Sequence, residues 1–411
     1  MSTAIEQDKD YDEFCRQCLH DPYPLFARLR EEDPVHWCEP LHMWLVTRYD
    51  DVSQGLRDRK RLSTNREAMY TDPLRPESLP RARPMIDHIN KWLLNVDPPD
   101  HTRMRKLVNI AFTPRLLQKL VPRIETFVEK LLDEMARSEQ VDLIESFCFP
   151  LPALVICDML GIPEERRAQY RRCVEGLIPF SSSGGPGLND TLEQARASLD
   201  ELIEFFDELI ARRRSDPRED LVSAMAAAEV DGERLDRDEL FALCVFLFLA
   251  GLETTMGLLA NGTLALLRNP EQFRLLRADP EGLVEKAVEE FVRYESPGTR
   301  GVRRALVDFE WRGSRICAGQ TVTNLIGAAN RDPEQFPDPD KLDITRHPNK
   351  HVGFGQGIHF CLGAPLARLE GQIAFRGMMR RLPNMELATD RVSYKPVIGI
   401  RSLEALPVRL G

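Results

Sequence analysis

The stretch from Leu240 to Leu267 constrains the fold more than any other, because Glu253 is the only charged residue in it. Two structures accept so long an apolar run. One is a helix that crosses a bilayer, which needs about 20 apolar residues, and the other is a helix buried on all sides in a large core. Thr254 and Asn261 would be poorly placed in lipid. We therefore expect a buried core helix from about Asp236 to Arg268, and no membrane anchor.

Periodicity elsewhere predicts a mainly α fold with small β-sheets. Helical patterns cover residues 103–137, 151–177, 190–213, 281–295 and the stretch after Gly363, with interruptions expected at Pro114 and Pro122. Short strands are expected in residues 305–326, on either side of Arg312-Gly313. Residues 60–100 contain Pro73, Pro76, Pro80 and Pro84, and they are expected to form a polar loop and not a core element.

Composition restricts the function classes. No repeat or long linker divides the 411 residues, so we expect residues 1–411 to form a single large domain. The net charge of −10 argues against nucleic acid as a partner. Nine scattered cysteines and a charged N-terminus without an apolar segment favour a cytoplasmic, reducing location. Cys15 and Cys18 have the spacing of a zinc or redox pair, but no second pair accompanies them and we assign them no function.

The most informative short segment is FGQGIHFCLG, which we call the cysteine loop (Phe354–Gly363). A thiolate binds zinc, copper(I), iron–sulfur clusters or haem iron. Clusters and structural zinc need several sulfurs, whereas a lone thiolate suffices for haem because the porphyrin supplies four nitrogens. The glycines would let the backbone approach a porphyrin, and the helix that follows would direct its positive end toward the sulfur. The residues alone leave two alternatives open, a buried structural cysteine and a catalytic thiol.

A second candidate site lies on the central helix. Glu253 is a carboxylate in an apolar helix, and such a group is costly unless it is hydrated, paired or used. With Thr254 it could relay protons to a ligand that lies against Ala250 and Gly251, where small residues leave room for a flat molecule or dioxygen. The alternative is a helix contact eased by Gly251, with Thr254 bonded back to its own helix.

These segments resemble the cytochrome P450 superfamily. FGxGxHxCxG is the haem-binding signature of that family, and it is matched at Phe354, Gly355, Gly357, His359, Cys361 and Gly363. Glu290 and Arg293 resemble the ExxR pair, and AGLETT from Ala250 to Thr255 is similar to the oxygen-activating stretch. The segment DPPDHTRMRK resembles the helix that contributes His101 and Arg105 to the haem propionates. Arg303 matches a further propionate partner, with the neighbouring Arg304 as the alternative position.

The resemblance implies a P450 fold of the soluble bacterial type, with haem between the long central helix and the cysteine-ligand loop. Its cofactor would be heme b (iron protoporphyrin IX) with the Cys361 thiolate as axial metal ligand, and His359 would reach a propionate. It implies a monooxygenase that uses O2 to hydroxylate or epoxidise an apolar small molecule such as a terpenoid, lipid, steroid or polyketide. Electrons would come from a separate ferredoxin and ferredoxin reductase. A peroxide-driven peroxygenase and a non-catalytic haem-based sensor are the alternatives.

The resemblance also suggests where the substrate would lie. The regions are residues 65–98, 177–190, the central helix before Gly251, Pro297–Gly301 and Ile398–Ile400, with Leu243, Phe246, Leu247, Val302 and Ile400 as apolar contacts and Arg300 as a possible polar anchor. A basic patch for the ferredoxin would comprise Arg103, Arg115 and Arg368.

Overall fold

The fold is mainly α-helical with small sheets, as predicted. The computed structural model describes residues 20–182, 188–397 and 399–411. Cys15, Cys18 and Ile398 lie outside the described residues, as do residues 183–187 of the predicted connector. The α-helices are Tyr23–Glu32, Tyr49–Arg57, Glu67–Thr71, Leu79–Asn90, Asp100–Ala111, Pro114–Met135, Pro150–Leu160, Arg167–Ser182, Leu188–Ser215, Leu221–Ala227, Arg237–Arg268, Pro270–Ala278, Pro280–Tyr294, Ile326–Ala329 and Ala364–Arg381.

In the part of the chain that the structure describes, the strands form three small sheets. In chain order they are β1 (Val35–Cys38), β2 (Met43–Val46), β3 (Leu62–Ser63), β4 (Gln140–Asp142), β5 (Arg300–Ala305), β6 (Phe309–Trp311), β7 (Ser314–Ile316), β8 (Thr321–Leu325), β9 (Glu386–Leu387) and β10 (Pro407–Arg409). The largest sheet has the order β1-β2-β8-β5-β3, and the others are β4-β10-β9 and β6-β7. β2 and β8 pair in parallel, whereas β1–β2 and β5–β8 are antiparallel. The strands predicted on either side of Arg312-Gly313 are β6 and β7.

The chain divides into two compact units. The first comprises Met1–Leu62, Pro122–Pro152 and Glu253–Gly411, and it carries the sheets and the cysteine loop. The second comprises Ser63–Val121 and Ala153–Leu252, and its regular structure in the described residues is helical apart from Ser63 of β3 and a bridge between Val230 and Glu233. The organisation of the chain as a single domain remains a prediction.

The central helix, Arg237–Arg268, has the bounds that the sequence predicts to within one residue. It is long and apolar enough to cross a membrane, but 78% of its most apolar window is buried inside the structure. That burial agrees with the prediction of a core helix. Within the first unit the helix approaches its neighbours closely at Gly262, where an added Cβ would lie 2.7 Å from the Phe375 ring and 2.9 Å from Phe291.

Two further helices matter for the site, and both lie in the first unit. We call Pro280–Tyr294 the ExxR helix and Ala364–Arg381 the post-cysteine helix. They pack through Phe291 and Phe375, whose ring centroids lie 4.7 Å apart. Because the cysteine loop runs directly into the post-cysteine helix, this packing fixes one end of the loop.

The prediction of a polar loop over residues 60–100 is wrong in part. The structure has a helix at Leu79–Asn90 that contains Pro84 and buries Ala82, Met85, Ile86 and Ile89. Those apolar residues recur every three to four positions, so burial of one helix face outweighs the proline. Likewise Pro122 lies within the helix Pro114–Met135 and does not interrupt it.

Candidate functional site

The cysteine loop has a backbone that only glycine adopts easily. Gly355 and Gly357 both have φ near +70°, in the left-handed region. The N–H of Cys361 donates to the carbonyl of Phe354 at 2.9 Å and closes the loop. The glycine positions in the motif therefore set the turn that presents Cys361.

The sulfur lies at the start of a helix. Gly363 caps the post-cysteine helix, and a Cβ built on Gly363 would be 4.0 Å from Cys361 Sγ. Cys361 is partly exposed, whereas Cys148 and Cys244 are buried, and burial raises the pKa of both of those thiols. A thiolate at the amino end of a helix is favoured by the helix dipole. Of these three cysteines, Cys361 is the one placed to bind a ligand as a thiolate.

The predicted ExxR pair exists as a fully buried ion pair. Arg293 donates to Glu290 from Nε at 2.7 Å and from Nη2 at 2.8 Å, and neither side chain has solvent exposure. Glu290 also accepts from Arg346, from Asn349 Nδ2 at 3.1 Å and from the backbone N–H of Asp343 at 2.9 Å. The carboxylate therefore ties the ExxR helix to the chain that leads into the cysteine loop.

The central helix exposes one narrow stripe. Between Leu240 and Leu266 every residue is buried except Phe246, Ala250, Gly251 and Thr254. Phe246, Ala250 and Thr254 follow one another at intervals of four residues and Gly251 adjoins Ala250, so the four lie on one side of the helix. The predicted small residues and the predicted hydroxyl are thus the accessible part of an otherwise enclosed helix.

Glu253, the residue before Thr254, is buried and has a cationic partner. It is 3% exposed, and its Oε1 accepts a hydrogen bond from Lys395 Nζ at 3.0 Å. The Lys395 side chain is 31% exposed, so the pair joins a buried carboxylate to the surface. The sequence analysis missed Lys395, because a lysine 142 positions away in an irregular C-terminal segment carries no motif.

The arginines and histidines predicted for the propionates are distributed over both units. In the first unit Arg303 is buried and donates to the carbonyl of Val302 at 2.9 Å, whereas Arg304 is half-buried. His359 lies in a short turn of the cysteine loop. In the second unit His101 is buried and Arg105 half-buried, one turn apart on the helix Asp100–Ala111.

These residues fit a haem. Among residues 20–182, 188–397 and 399–411 no group of three His, Cys, Asp or Glu side chains could hold a metal ion. A lone thiolate therefore suits a metal that arrives with its own equatorial ligands. A buried guanidinium such as Arg303 is stabilised by an anionic group, and a propionate is one.

Comparison with known proteins decides the family. The sequence profile described as Cytochrome P450 matches residues 80–386. The chain belongs to the cytochrome P450 superfamily. The polyketide biosynthesis cytochrome P450 PksS of Bacillus subtilis is 40% identical over 95% of this chain and 96% of its own. The 6-deoxyerythronolide B hydroxylase of Saccharopolyspora erythraea is 38% identical over 95% of this chain and 96% of its own.

Solved structures give the same result. The structure of PksS has a TM-score of 0.87 and 39% identity, covering 96% of this P450 and 98% of its own chain. P450BioI, solved with an acyl carrier protein that bears hexadec-9Z-enoic acid, has a TM-score of 0.87 and 36% identity over 98% and 100% of the two chains. The fold, the haem cofactor with its cysteine thiolate ligand and the class of haem-thiolate monooxygenase are thereby confirmed.

Two of the arginines expected in a basic patch are held by carboxylates of this P450. In the second unit Arg103 bonds to Glu239, with one contact of 3.1 Å. In the first unit Arg368 forms a two-point ion pair with Glu289. Arg115 is exposed. The side chain of Arg368 is therefore already engaged in an ion pair within the protein, which it would have to leave in order to bind a partner protein.

Proposed function

We propose that this P450 hydroxylates or epoxidises an apolar small molecule of the polyketide, macrolactone or lipid class. Relatives with these roles support the proposal: PksS is named for polyketide biosynthesis, and another relative is the 6-deoxyerythronolide B hydroxylase. The accessible stripe of the central helix carries Phe246, Ala250 and Gly251. These residues are uncharged and therefore suit contact with a bulky apolar substrate. Leu243 and Leu247 of the same helix are buried and apolar, and so is Val302 of β5.

The observation that carries the catalytic proposal is the pairing of a hydroxyl on the stripe with a buried carboxylate beside it. When bound, the haem supplies the redox chemistry that divides dioxygen between the substrate and water. Thr254, on the accessible face, would hold a proton donor next to the reacting oxygen. Glu253 would take protons from solvent beside Lys395 and return to its carboxylate form after each transfer. Two protons and two electrons per turnover balance the one oxygen atom that leaves as water.

The remaining predicted residues would hold the cofactor. Cys361 would bind the haem iron through its thiolate, and the backbone of Phe354, Gly355 and Gly363 would shape its surroundings. His101, Arg105, Arg303 and His359 would neutralise the propionates, with Glu290 and Arg293 as structural support. We further propose that electrons come from a separate ferredoxin and ferredoxin reductase, and that the protein acts in the cytoplasm.

Spectra of the reduced protein with and without carbon monoxide test the ligand assignment. A strongly red-shifted Soret band that is lost in Cys361→His supports thiolate ligation by Cys361. The same band in the variant would refute that assignment. Titration with a macrolactone, and with a terpenoid for comparison, then tests the substrate class through the spin-state shift.

Turnover with ferredoxin, its reductase and NADPH, compared with turnover by hydrogen peroxide, tests the proton route. We expect Thr254→Ala and Glu253→Gln to consume NADPH while forming several-fold less product. Thr255→Ala, which removes the neighbouring buried hydroxyl, is the control and should keep its coupling. Product formation driven only by peroxide would favour a peroxygenase, and the absence of any turnover would favour a sensor.

A further inference from the structure

Glu289 adjoins Glu290 on the ExxR helix but makes a separate set of bonds. Its carboxylate accepts from Arg368 at 2.6 Å from Nε and 2.9 Å from Nη2. Its Oε2 also lies 3.1 Å from His351 Nε2. Burial alone would raise the pKa of Glu289, but hydrogen bonds from Arg368 and His351 lower it to about 2. Glu289 is therefore an anion at neutral pH, bound to a cation of the post-cysteine helix.

His351 fixes the segment that enters the cysteine loop. The backbone N–H of Gly353 donates to His351 Nδ1 at 3.1 Å. Since an amide N–H only donates, Nδ1 is an acceptor and the ring proton lies on Nε2, from which it is donated to Glu289. Gly353 also packs tightly on the ExxR helix, because an added Cβ would lie 2.4 Å from Val292.

Arg368 reaches the cysteine loop itself. Its guanidinium carbon lies 4.4 Å from the centroid of the Phe354 ring, in a cation–π contact. The carbonyl of Phe354 is the acceptor for the N–H of Cys361. The pKa of Arg368 is raised by Glu289 first and also by the negative charge of Cys361. The guanidinium is thus coupled to the thiolate both through the loop backbone and through its charge.

We propose that Glu289 is a positioning residue for the axial thiolate. It holds Arg368 against Phe354 and offsets the positive charge that Arg368 places near the sulfur. This inference rests on haem ligation by Cys361, and it gives a role to a carboxylate that belongs to neither the FGxGxHxCxG motif nor the ExxR pair.

The two partners have opposite charges, so their removal has opposite effects on the iron. Reduction adds negative charge to the haem site, which a nearby cation favours and a nearby anion opposes. Glu289→Gln should shift the reduction potential to more positive values, and Arg368→Gln should shift it to more negative values. Arg368→Lys keeps the charge and should remain nearer to the wild-type potential than Arg368→Gln. If the bond between Glu289 and Arg368 is purely structural, Glu289→Gln and Arg368→Gln should both destabilise the protein without shifting the reduction potential in opposite directions.

The chain offers a matched control. Glu281 lies on the same ExxR helix and bonds to Arg376 of the same post-cysteine helix at 2.8 Å, in the first turn and not beside the loop. Glu281→Gln should therefore leave the potential unchanged. The measurement is a spectroelectrochemical titration of each haem-loaded variant. A urea titration of the reduced carbon monoxide complex, followed by the loss of its thiolate Soret band, is the second readout.

Opposite shifts for Glu289→Gln and Arg368→Gln, with earlier loss of the thiolate band in both and neither effect in Glu281→Gln, would support the proposal. Unchanged potentials, or shifts of the same sign in the two variants, would overturn the proposed role of Glu289. The thiolate Soret band of the wild type would in that case still support the haem-thiolate function. A wild type without that band would overturn the haem-thiolate assignment itself, and the proposal with it.

Discussion

Replacing Lys395 by Met tests how much the ion pair between Lys395 and the buried carboxylate of Glu253 contributes to the stability of the protein. Another lysine–glutamate pair of the chain has the same separation: Lys119 Nζ lies 3.0 Å from Glu219, as Lys395 Nζ does from Glu253. The two pairs differ in exposure. The Lys119 and Glu219 side chains are 49% and 87% exposed, against 31% and 5% for Lys395 and Glu253.

The two pairs have the same N–O distance but different burial, so they should contribute differently to the free energy of unfolding. At 3.0 Å the Coulomb attraction is about 1.4 kcal/mol in water and about 5.5 kcal/mol at an effective dielectric constant of about 20. The cost of removing the charges from water and of ordering the lysine side chain opposes this attraction in both pairs. Exposed pairs contribute about 0.2–1 kcal/mol net, and breaking a buried pair costs about 3–5 kcal/mol. Because Lys395 is half-exposed and Glu253 is not, we expect Lys395→Met to cost about 2 kcal/mol and Lys119→Met about 0.5 kcal/mol or less.

The assay is urea unfolding of the haem-loaded proteins, followed by far-UV circular dichroism and by the Soret band. The double variant Lys395→Met/Glu253→Gln should recover most of the lost stability, because a neutral amide needs no cation. If Lys395→Met and Lys119→Met lower the unfolding free energy equally, burial of Glu253 does not strengthen its ion pair and the argument fails.

Three further results are expected. Glu290→Gln leaves the buried Arg293 and the partly buried Arg346 without their anion, so unfolding in urea should show a loss of about 3 kcal/mol and weaker haem retention; unchanged haem content after gel filtration would contradict this. Burial raises the pKa of Glu370 from 4.5 to about 8. The preference of the folded state for the neutral carboxyl therefore adds fully to the stability of the protein below pH 4.5, and this contribution is lost as the pH rises toward 8. Glu370→Gln should then be more stable at pH 7.5, by at most about 4 kcal/mol, and equal near pH 4.5; a pH-independent difference would be evidence against it. Gly357→Ala should lower the unfolding free energy by about 1–2 kcal/mol, and Gly363→Ala by less, because φ is +70° at Gly357 and −81° at Gly363; equal losses would refute the backbone argument.

Local pattern was sufficient for the elements whose signal lies within one segment. The central helix and the ExxR helix were predicted to within one or two residues, because their apolar periodicity is uninterrupted. The helix Leu79–Asn90 was missed because its prolines were given more weight than its apolar spacing. A proline removes one hydrogen bond from a helix, whereas burial of a whole face involves several side chains.

The site was predictable where a motif names both partners and not where the partners are distant. Glu290 and Arg293 are three positions apart, and the resemblance to the ExxR motif identifies them as a pair. Lys395 lies 142 positions from Glu253, and Arg368 lies 79 positions from Glu289. Spacing carries no information at that range, because packing of the whole unit brings the partners together.

The adjacent carboxylates of the ExxR helix show what such packing achieves. Consecutive residues on a helix point about 100° apart, and Glu289 and Glu290 accordingly bind different partners. Glu290 holds the chain before the cysteine loop through Arg346 and Asn349, and Glu289 holds the helix after it through Arg368. One helix therefore fixes the loop from both sides, and a haem-ligating sulfur gains a rigid position from two adjacent charges, of which only Glu290 belongs to a motif.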